Sequence, residues 1–130
     1  MIQGQRSMPV LIVTDIDKSV DFYENGLGFS TAGKWVKQDG TPDFAIVVLD
    51  NITLALQSGK PVKHQAPWCA YLYIADIEAY SAEIAVKGVV LTREITDQFY
   101  GCRDLEIKDP DGNILCFGQD LSPGKNGPGL

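Results

Sequence analysis

An internal repeat constrains the fold of this chain more than any other feature of its sequence. Asp15-Ile16-Asp17 is matched by Asp76-Ile77-Glu78, and Leu54-Ala55-Leu56 is matched by Leu115-Cys116-Phe117, both at an offset of 61 residues. Each match is short and could arise by chance, but an offset shared by two separate segments indicates a duplicated unit. The two halves of the chain should therefore contain the same order of strands and helices.

The first half predicts one strand, one helix and three further strands. An apolar segment at 8–13 ends at Thr14-Asp15, a helix-capping pair, and apolar residues at helical spacing continue to Leu27. Glycines on either side of Leu27 end the helix. Three strands follow at 29–37, 44–49 and 52–57, separated by turn-forming residues.

The second half repeats this pattern after a linker at 58–67. A strand at 69–75 leads to a helix that Asp76 caps and Gly88 ends, and strands follow at 89–92, 102–108 and 114–118. We predict an α+β fold of two βαβββ modules, at about 7–58 and 68–120, within one domain at 1–121. Residues 122–130 are rich in glycine and proline, and we predict that they form a disordered tail.

Composition and charge exclude several classes of protein. No apolar run approaches the roughly 20 residues that span a bilayer, and no secretion signal is visible, so we expect a cytoplasmic protein without membrane contact. Three cysteines without Cys-x-x-Cys spacing favour reduced thiols. The net charge of -6 disfavours nucleic acid as a partner and favours cationic ligands.

Two motifs resemble those of the vicinal oxygen chelate superfamily, which includes glyoxalases, bleomycin-resistance proteins and dioxygenases. The first is the Asp-led helix at 15–23, which ends in Phe22-Tyr23 and is followed by Leu27-Gly28-Phe29. The second is Gly-Cys-Arg-Asp-Leu at 101–105, followed by Asp-Pro-Asp-Gly-Asn at 109–113. The resemblance covers nearly all of 7–119. It implies the glyoxalase/bleomycin-resistance fold, in which curved half-barrel sheets are paired in a dimer.

Within that superfamily the sequence is most similar to the bleomycin-resistance proteins. Pro9-Val10-Leu11, Leu27-Gly28-Phe29-Ser30 and the segment at 100–103 resemble their sequences in type and order. Those proteins bind their ligand and catalyse no reaction. Each is a dimer with two grooves that hold a cationic, DNA-cleaving glycopeptide away from its target. The resemblance therefore implies a homodimer that binds a small molecule and uses no cofactor.

The resemblance also assigns four metal-ligand positions, on the first and last strand of each module. They hold Met8, Ala55, Cys69 and Cys116 instead of the His, Gln or Glu that a hard or borderline divalent metal ion requires. We therefore expect no metal, and neither glyoxalase nor dioxygenase chemistry. Cys69 and Cys116 with Met8 could still suit a soft ion such as Cu(I), but we favour the alternative that they are small buried apolar residues.

Strand alternation predicts the lining of a ligand cavity. Its apolar surface with two phenols, Tyr71 and Tyr73, suits stacking on a flat ligand and offers little for acid–base catalysis. Trp35 and Tyr100 would extend the stack at the mouth, although each aromatic could instead pack in the core or at a dimer interface. The predicted ligand-binding residues are Trp35, Ala55, Gln57, Cys69, Tyr71, Tyr73, Tyr100, Arg103 and Cys116.

Arg103 leaves two interpretations open. Its strand neighbours on the same face, Leu105 and Ile107, are apolar, which is an unusual setting for a guanidinium. It could bind a ligand anion or an internal Asp or Glu, and we favour the internal carboxylate because it is the commoner arrangement.

Three functions fit these features. The leading hypothesis is a metal-independent protein that sequesters a bleomycin-like cationic antibiotic. The second is an enzyme of glyoxalase or isomerase type whose metal site has diverged from that of the superfamily's enzymes or binds a soft metal. The third is a metabolite-binding module without a role in resistance.

Overall fold

A computed structural model describes residues 2–124 of the chain. Most of the predicted tail, from residue 125 onwards, lies outside the described residues. The first module contains β1 (Val10–Val13), α1 (Ile16–Asp21), a π-helical turn (Phe22–Gly26), β2 (Ser30–Val36), β3 (Pro42–Leu49) and β4 (Ile52–Ser58). The second contains β5 (Ala70–Tyr73), α2 (Ile77–Val86), β6 (Arg93–Asp97), β7 (Cys102–Lys108) and β8 (Ile114–Asp120).

Each module forms one four-stranded mixed sheet, with strand orders β1-β4-β3-β2 and β5-β8-β7-β6. In each sheet the first strand is parallel to the last, and the remaining pairs are antiparallel. Val10 pairs with Ala55 in the first sheet, and Tyr71 pairs with Cys116 in the second. These pairs are related by the offset of 61, so the register confirms the repeat. The predicted α+β fold of two βαβββ modules is also confirmed, and neither sheet closes into a barrel.

Both helices begin at the aspartates that the sequence indicates. The side chain of Asp15 accepts from the amide of Lys18 at 3.1 Å, and that of Asp76 accepts from the amide of Ala79 at 3.1 Å. The first helix differs from the prediction in its second part, because α1 widens into the π-helical turn before Gly28, at φ 84°, ends it. No helix among residues 2–124 is long and apolar enough to cross a membrane.

The two sheets share one core on their helix-facing sides. Leu54 and Leu56 of β4, with Leu115 and Phe117 of β8, are fully buried there. Alternate residues of the same strands point away from the helices, and we call this second surface of each sheet its open face. The position of the helices therefore leaves one open face per module for other contacts.

Polar contacts fix the modules to each other. The hydroxyl of Tyr23 donates to Asp109 Oδ2 at 3.0 Å, and the hydroxyl of Tyr80 donates to the carbonyl of Leu27 at 2.7 Å. The side-chain Nδ2 of Asn113 donates to the backbone carbonyl of Ile12 at 3.0 Å. Each bond joins residues that are far apart in the sequence, so the halves form one packed unit.

The sixth strand lies later in the sequence than predicted. The apolar run at 89–92 suggests a strand, but the amide of Val89 bonds to the carbonyl of Ile84 at 3.1 Å and completes the end of α2. Ladder-like pairing to β7 starts only at Thr92, whose amide donates to Glu106 at 2.8 Å. β6 therefore occupies Arg93–Asp97, and it brings Arg93 beside β7.

Candidate ligand-binding site

An aromatic pocket lies on the open face of the second sheet. It has a volume of about 680 Å³, within the size range of small-molecule sites. β5 contributes two tyrosines, β6 and β7 contribute charged side chains, and the β6–β7 loop covers one side. The pocket is lined by Trp68, Tyr71, Tyr73, Arg93, Gln98, Phe99, Tyr100 and Glu106.

The carboxylate of Asp104, on β7, accepts hydrogen bonds from four residues that line this pocket. Its side chain is fully buried, and its Oδ1 accepts from Arg93 Nη2 at 2.5 Å and from Gln98 Nε2 at 3.1 Å. Its Oδ2 accepts from the hydroxyls of Tyr71 at 2.9 Å and Tyr100 at 2.5 Å. One carboxylate therefore ties together β5, β6 and both ends of the covering loop.

The network keeps Asp104 ionised. Burial by itself raises the pKa of this carboxyl, but the hydrogen bonds from Tyr100, Arg93, Tyr71 and Gln98 outweigh burial and hold the pKa below its usual range. Burial and the neighbouring Asp104 raise the pKa of the Tyr100 phenol well above its ordinary value. The phenols therefore stay protonated donors, and the carboxylate stays an acceptor.

Arg93 is fully engaged with protein acceptors. Its Nε donates to Glu106 Oε2 at 3.0 Å, and its Nη2 donates to Asp104 Oδ1 and, at 3.9 Å, to Cys116 Sγ. Its Nη1 donates to the carbonyls of Glu94 and Asp104, both at 3.2 Å. A guanidinium has five N–H donors, and each of these five contacts can use one of them.

Cys116 is a neutral thiol in this setting. Burial, followed by the negative charge of Asp104, raises the pKa of Cys116 to about 12, although Arg93 opposes the shift. Only the thiolate is an effective nucleophile or metal ligand. Cys116 is therefore a buried thiol beside Arg93, and it does not itself line the pocket.

Tyr71 is the centre of a group of aromatic rings. Its ring centroid lies 5.6 Å from that of Trp68, 5.1 Å from that of Tyr73 and 6.2 Å from that of Tyr100. Phe99 stands edge-on to Tyr100 at 5.1 Å and is 98% exposed. Offset and edge-on rings at these separations leave faces on which a flat ligand can stack.

Three predicted site residues belong to the other sheet. Trp35 lies on the open face of the first module, 5.6 Å from Phe44 and 51% exposed. Ala55 is buried on β4, and the Gln57 side chain donates to the carbonyl of Asp43 at 3.1 Å. The structure does not bring these residues to the aromatic pocket.

Cys69 and Arg103 also lie outside the pocket. Cys69 packs against the core, and its thiol lies 3.9 Å from Asn113 Oδ1 at the junction of the modules. Arg103 points to the helix-facing side of the second sheet, where its Nε donates to Asp97 at 2.7 Å and its Nη1 lies 3.5 Å from Glu78. Arg103 thus has the internal carboxylate partners that we favoured.

Metal-binding groups do not converge in the described part of the chain. Among residues 2–124, no group of three or more His, Cys, Asp or Glu side chains is arranged to hold a metal ion. Met8 is 42% exposed, and Ala55 offers only a methyl group. The residues at the positions implied by the resemblance therefore do not fit a divalent metal.

Sequence reasoning missed several pocket residues. Asp104 and Glu106 alternate with Leu105 and Ile107, so strand periodicity alone places them on the open face, and this signal could have identified both. Arg93 was missed because β6 was predicted too early. The missed pocket residues are Trp68, Arg93, Gln98, Phe99, Asp104 and Glu106.

The sequence matches a known family over most of its length. The model of the Glyoxalase/Bleomycin resistance protein/Dioxygenase superfamily matches residues 7–117, which include both modules. The chain belongs to this superfamily. The resemblance seen in the two sequence motifs is therefore confirmed.

Relatives within the superfamily include antibiotic-binding proteins. The bleomycin resistance protein of Geobacillus stearothermophilus is 28% identical, over 89% of this chain and 97% of that protein. The bleomycin-binding protein of Streptomyces verticillus, solved with copper(II)-bleomycin, is 26% identical with a TM-score of 0.69, covering 90% of this chain and 97% of that one. A glyoxalase-related enzyme from Clostridium phytofermentans has a TM-score of 0.78 at 24% identity, covering 92% and 97%, and shares the fold.

Proposed function

We propose that this superfamily member is a metal-independent binding protein that sequesters a bleomycin-like cationic antibiotic in the aromatic pocket of its second module. The observation that carries this proposal is the ring cluster around Tyr71, held in place by the buried carboxylate of Asp104. A pre-organised aromatic surface loses little entropy when a flat ligand stacks on it. The bleomycin resistance and bleomycin-binding relatives support the choice of ligand class.

The polar groups of the pocket favour binding over catalysis. Asp104 is saturated by four donors, and the Cys116 thiol has its pKa raised to about 12. A general base or nucleophile must reach the substrate in a reactive protonation state. Neither group meets that requirement, and the remaining carboxylate, that of Glu106, is paired with Arg93. These features favour a binding role over a glyoxalase-like or isomerase reaction.

Titration with metal-free and copper-loaded bleomycin tests the proposal. Trp68 lines the pocket and Trp35 does not, so ligand-induced quenching should be lost in Trp68→Phe and retained in Trp35→Phe. Calorimetry should give a Kd in the micromolar range or below, which requires several stacking contacts because each contributes about 0.5 to 1.5 kcal/mol. If neither form of bleomycin changes the heat or the fluorescence at high micromolar concentration, the metabolite-binding alternative replaces the proposal.

A pair of exposed residues provides a matched control. Phe99, 98% exposed, lines the pocket, whereas Val90, 82% exposed, does not. Phe99→Ala should weaken bleomycin binding about tenfold, while Val90→Ala should leave the Kd unchanged. Because both side chains are exposed, neither substitution should alter the melting temperature appreciably.

We also propose that the protein is a cytoplasmic homodimer that pairs modules between chains. Val10, 55% exposed, and Trp35 lie on the open face of the first sheet. Pairing that face with a module of a second chain would cover both side chains. Sedimentation at micromolar concentration should give the mass of a dimer, and a monomer mass would remove this part of the proposal.

A further inference from the structure

We propose that Glu106 receives the positive group of the ligand, and that the pocket selects aromatic rings bearing an amidinium, guanidinium or ammonium group. This inference rests on the proposed binding role of the pocket. Two carboxylates, Asp104 and Glu106, face one guanidinium, that of Arg93. The charged cluster at the pocket therefore carries one surplus negative charge.

Asp104 cannot present that surplus charge to a ligand. Its side chain is fully buried and accepts from four donors that themselves line the pocket. A ligand would have to displace Tyr71, Tyr100 or Gln98 to reach it. Asp104 is therefore a positioning residue that holds the walls of the pocket.

Glu106 is accessible where Asp104 is not. Its side chain lines the pocket and is 22% exposed. Among the described residues it makes one hydrogen bond, from Arg93 Nε to Oε2, so Oε1 remains available as an acceptor. This carboxylate oxygen can bind the cationic group of a ligand. The rings of Trp68 and Tyr73 can contact the apolar part of the same ligand.

Anionic ligands are disfavoured by the same geometry. Arg93 is the basic residue of the pocket lining, and its five N–H groups have protein acceptors. An anion would have to break one of these bonds and would meet the charge of Glu106. The pocket therefore discriminates by charge as well as by shape.

A pair of isosteric probes tests the inference without relying on bleomycin. Benzamidine carries the cation and benzamide is its neutral counterpart, so ligand-observed NMR titrations of both isolate the contribution of the charge. The wild type should bind benzamidine about tenfold more tightly than benzamide. Glu106→Gln, which keeps an acceptor for Arg93, should remove this preference by lowering the affinity for benzamidine.

Two further variants make the result decisive. Glu94→Gln removes the same charge from an exposed position that does not line the pocket, and it should keep the preference for benzamidine. Glu106→Asp keeps the charge on a shorter side chain and should retain part of the preference, so it provides a second measurement if Glu106→Gln is poorly folded. An equal affinity for both probes in the wild type, or an unchanged preference in Glu106→Gln, overturns the inference.

The same samples separate this inference from the proposed function. If benzamidine is preferred through Glu106 but bleomycin does not bind, the cation site stands and the antibiotic proposal fails. If bleomycin binds the wild type but Glu106→Gln leaves the preference for benzamidine unchanged, the antibiotic proposal stands and the role of Glu106 is rejected.

Discussion

The phenol ring of Tyr71 lies directly across the backbone of Gly118 on the neighbouring strand. A Cβ atom at position 118 would lie 2.6 Å from Tyr71 Cζ, closer than non-bonded carbon atoms approach. On its other side the Tyr71 hydroxyl donates to Asp104 at 2.9 Å. The central ring of the pocket is therefore held between a glycine that makes room for it and a carboxylate that orients it.

Gly118→Ala should displace Tyr71 and damage the pocket. The ring cannot move aside without losing its hydrogen bond to Asp104, so we expect a loss of about 1–3 kcal/mol in the free energy of unfolding. Bleomycin affinity should fall together with it. Chemical denaturation and calorimetry measure the two effects, and Gly4→Ala, at an exposed position with open space around it, serves as the control. Unchanged ligand affinity in Gly118→Ala would contradict the central role of Tyr71.

Asp104→Asn should destabilise the protein by about 2–3 kcal/mol at neutral pH, because the amide does not neutralise the charge of Arg93 and leaves only one acceptor oxygen for four donors. The pKa of Asp104 is lower in the folded state than in the unfolded chain. Its ionised form therefore stabilises the fold fully above about pH 4, and this contribution is lost as pH falls through the folded pKa.

Denaturation curves at several pH values test this relationship. The difference between wild type and Asp104→Asn should be constant near neutrality and should narrow below about pH 4. Asp50→Asn, at an exposed turn position that tolerates asparagine, should track the wild type throughout. A difference that widens with acidity would be inconsistent with the hydrogen-bond network described here.

Cys116 should resist alkylation in the folded protein. With its pKa raised to about 12, roughly one thiol in ten thousand is ionised at pH 8. Cys69 is only partly buried and should react first, whereas Cys102 and Cys116 should react after unfolding in urea. Mass spectrometry after timed iodoacetamide treatment gives the order, with Cys69→Ser as the assignment control. Fast labelling of Cys116 in the native state would show that it is an activated thiol.

Divalent metals should not stabilise the protein. The positions that the resemblance assigns to metal ligands hold Met8, Ala55, Cys69 and Cys116, and a species that does not bind the native state cannot raise its melting temperature. Thermal unfolding with nickel, zinc, iron(II) or manganese should therefore match that of the chelator-treated protein. A saturable rise in melting temperature with any of the four would contradict metal independence.

Most of the fold could be predicted from the sequence because its signals are local and occur twice. Asp15 and Asp76 cap equivalent helices, and the pairs Val10–Ala55 and Tyr71–Cys116 keep the offset of the repeat. The position of β6 could not be predicted this way. Val89 completes the end of α2 through a bond to Ile84, and the apolar run alone does not reveal that contact.

The site was predicted less completely because it depends on contacts between separate strands. Tyr71, Tyr73 and Cys116 were placed on the open face by alternation, and Tyr100 was placed at the mouth. Alternation cannot show that Trp35, on the first sheet, lies away from the pocket on the second sheet. It also cannot show that Arg93 of β6 donates to Asp104 of β7. Those relationships arise only when the strands pair.

Phe99 combines a position at the pocket with almost complete exposure, while its neighbours Gln98 and Tyr100 are both bound to Asp104. The side chain at 99 can therefore be exchanged without removing the hydrogen bonds that hold the loop. Ligand range and folding stability are separable at this position. During evolution, a single substitution at residue 99 could therefore change which ligands bind, while selection for a stable fold continues to act on the same core residues.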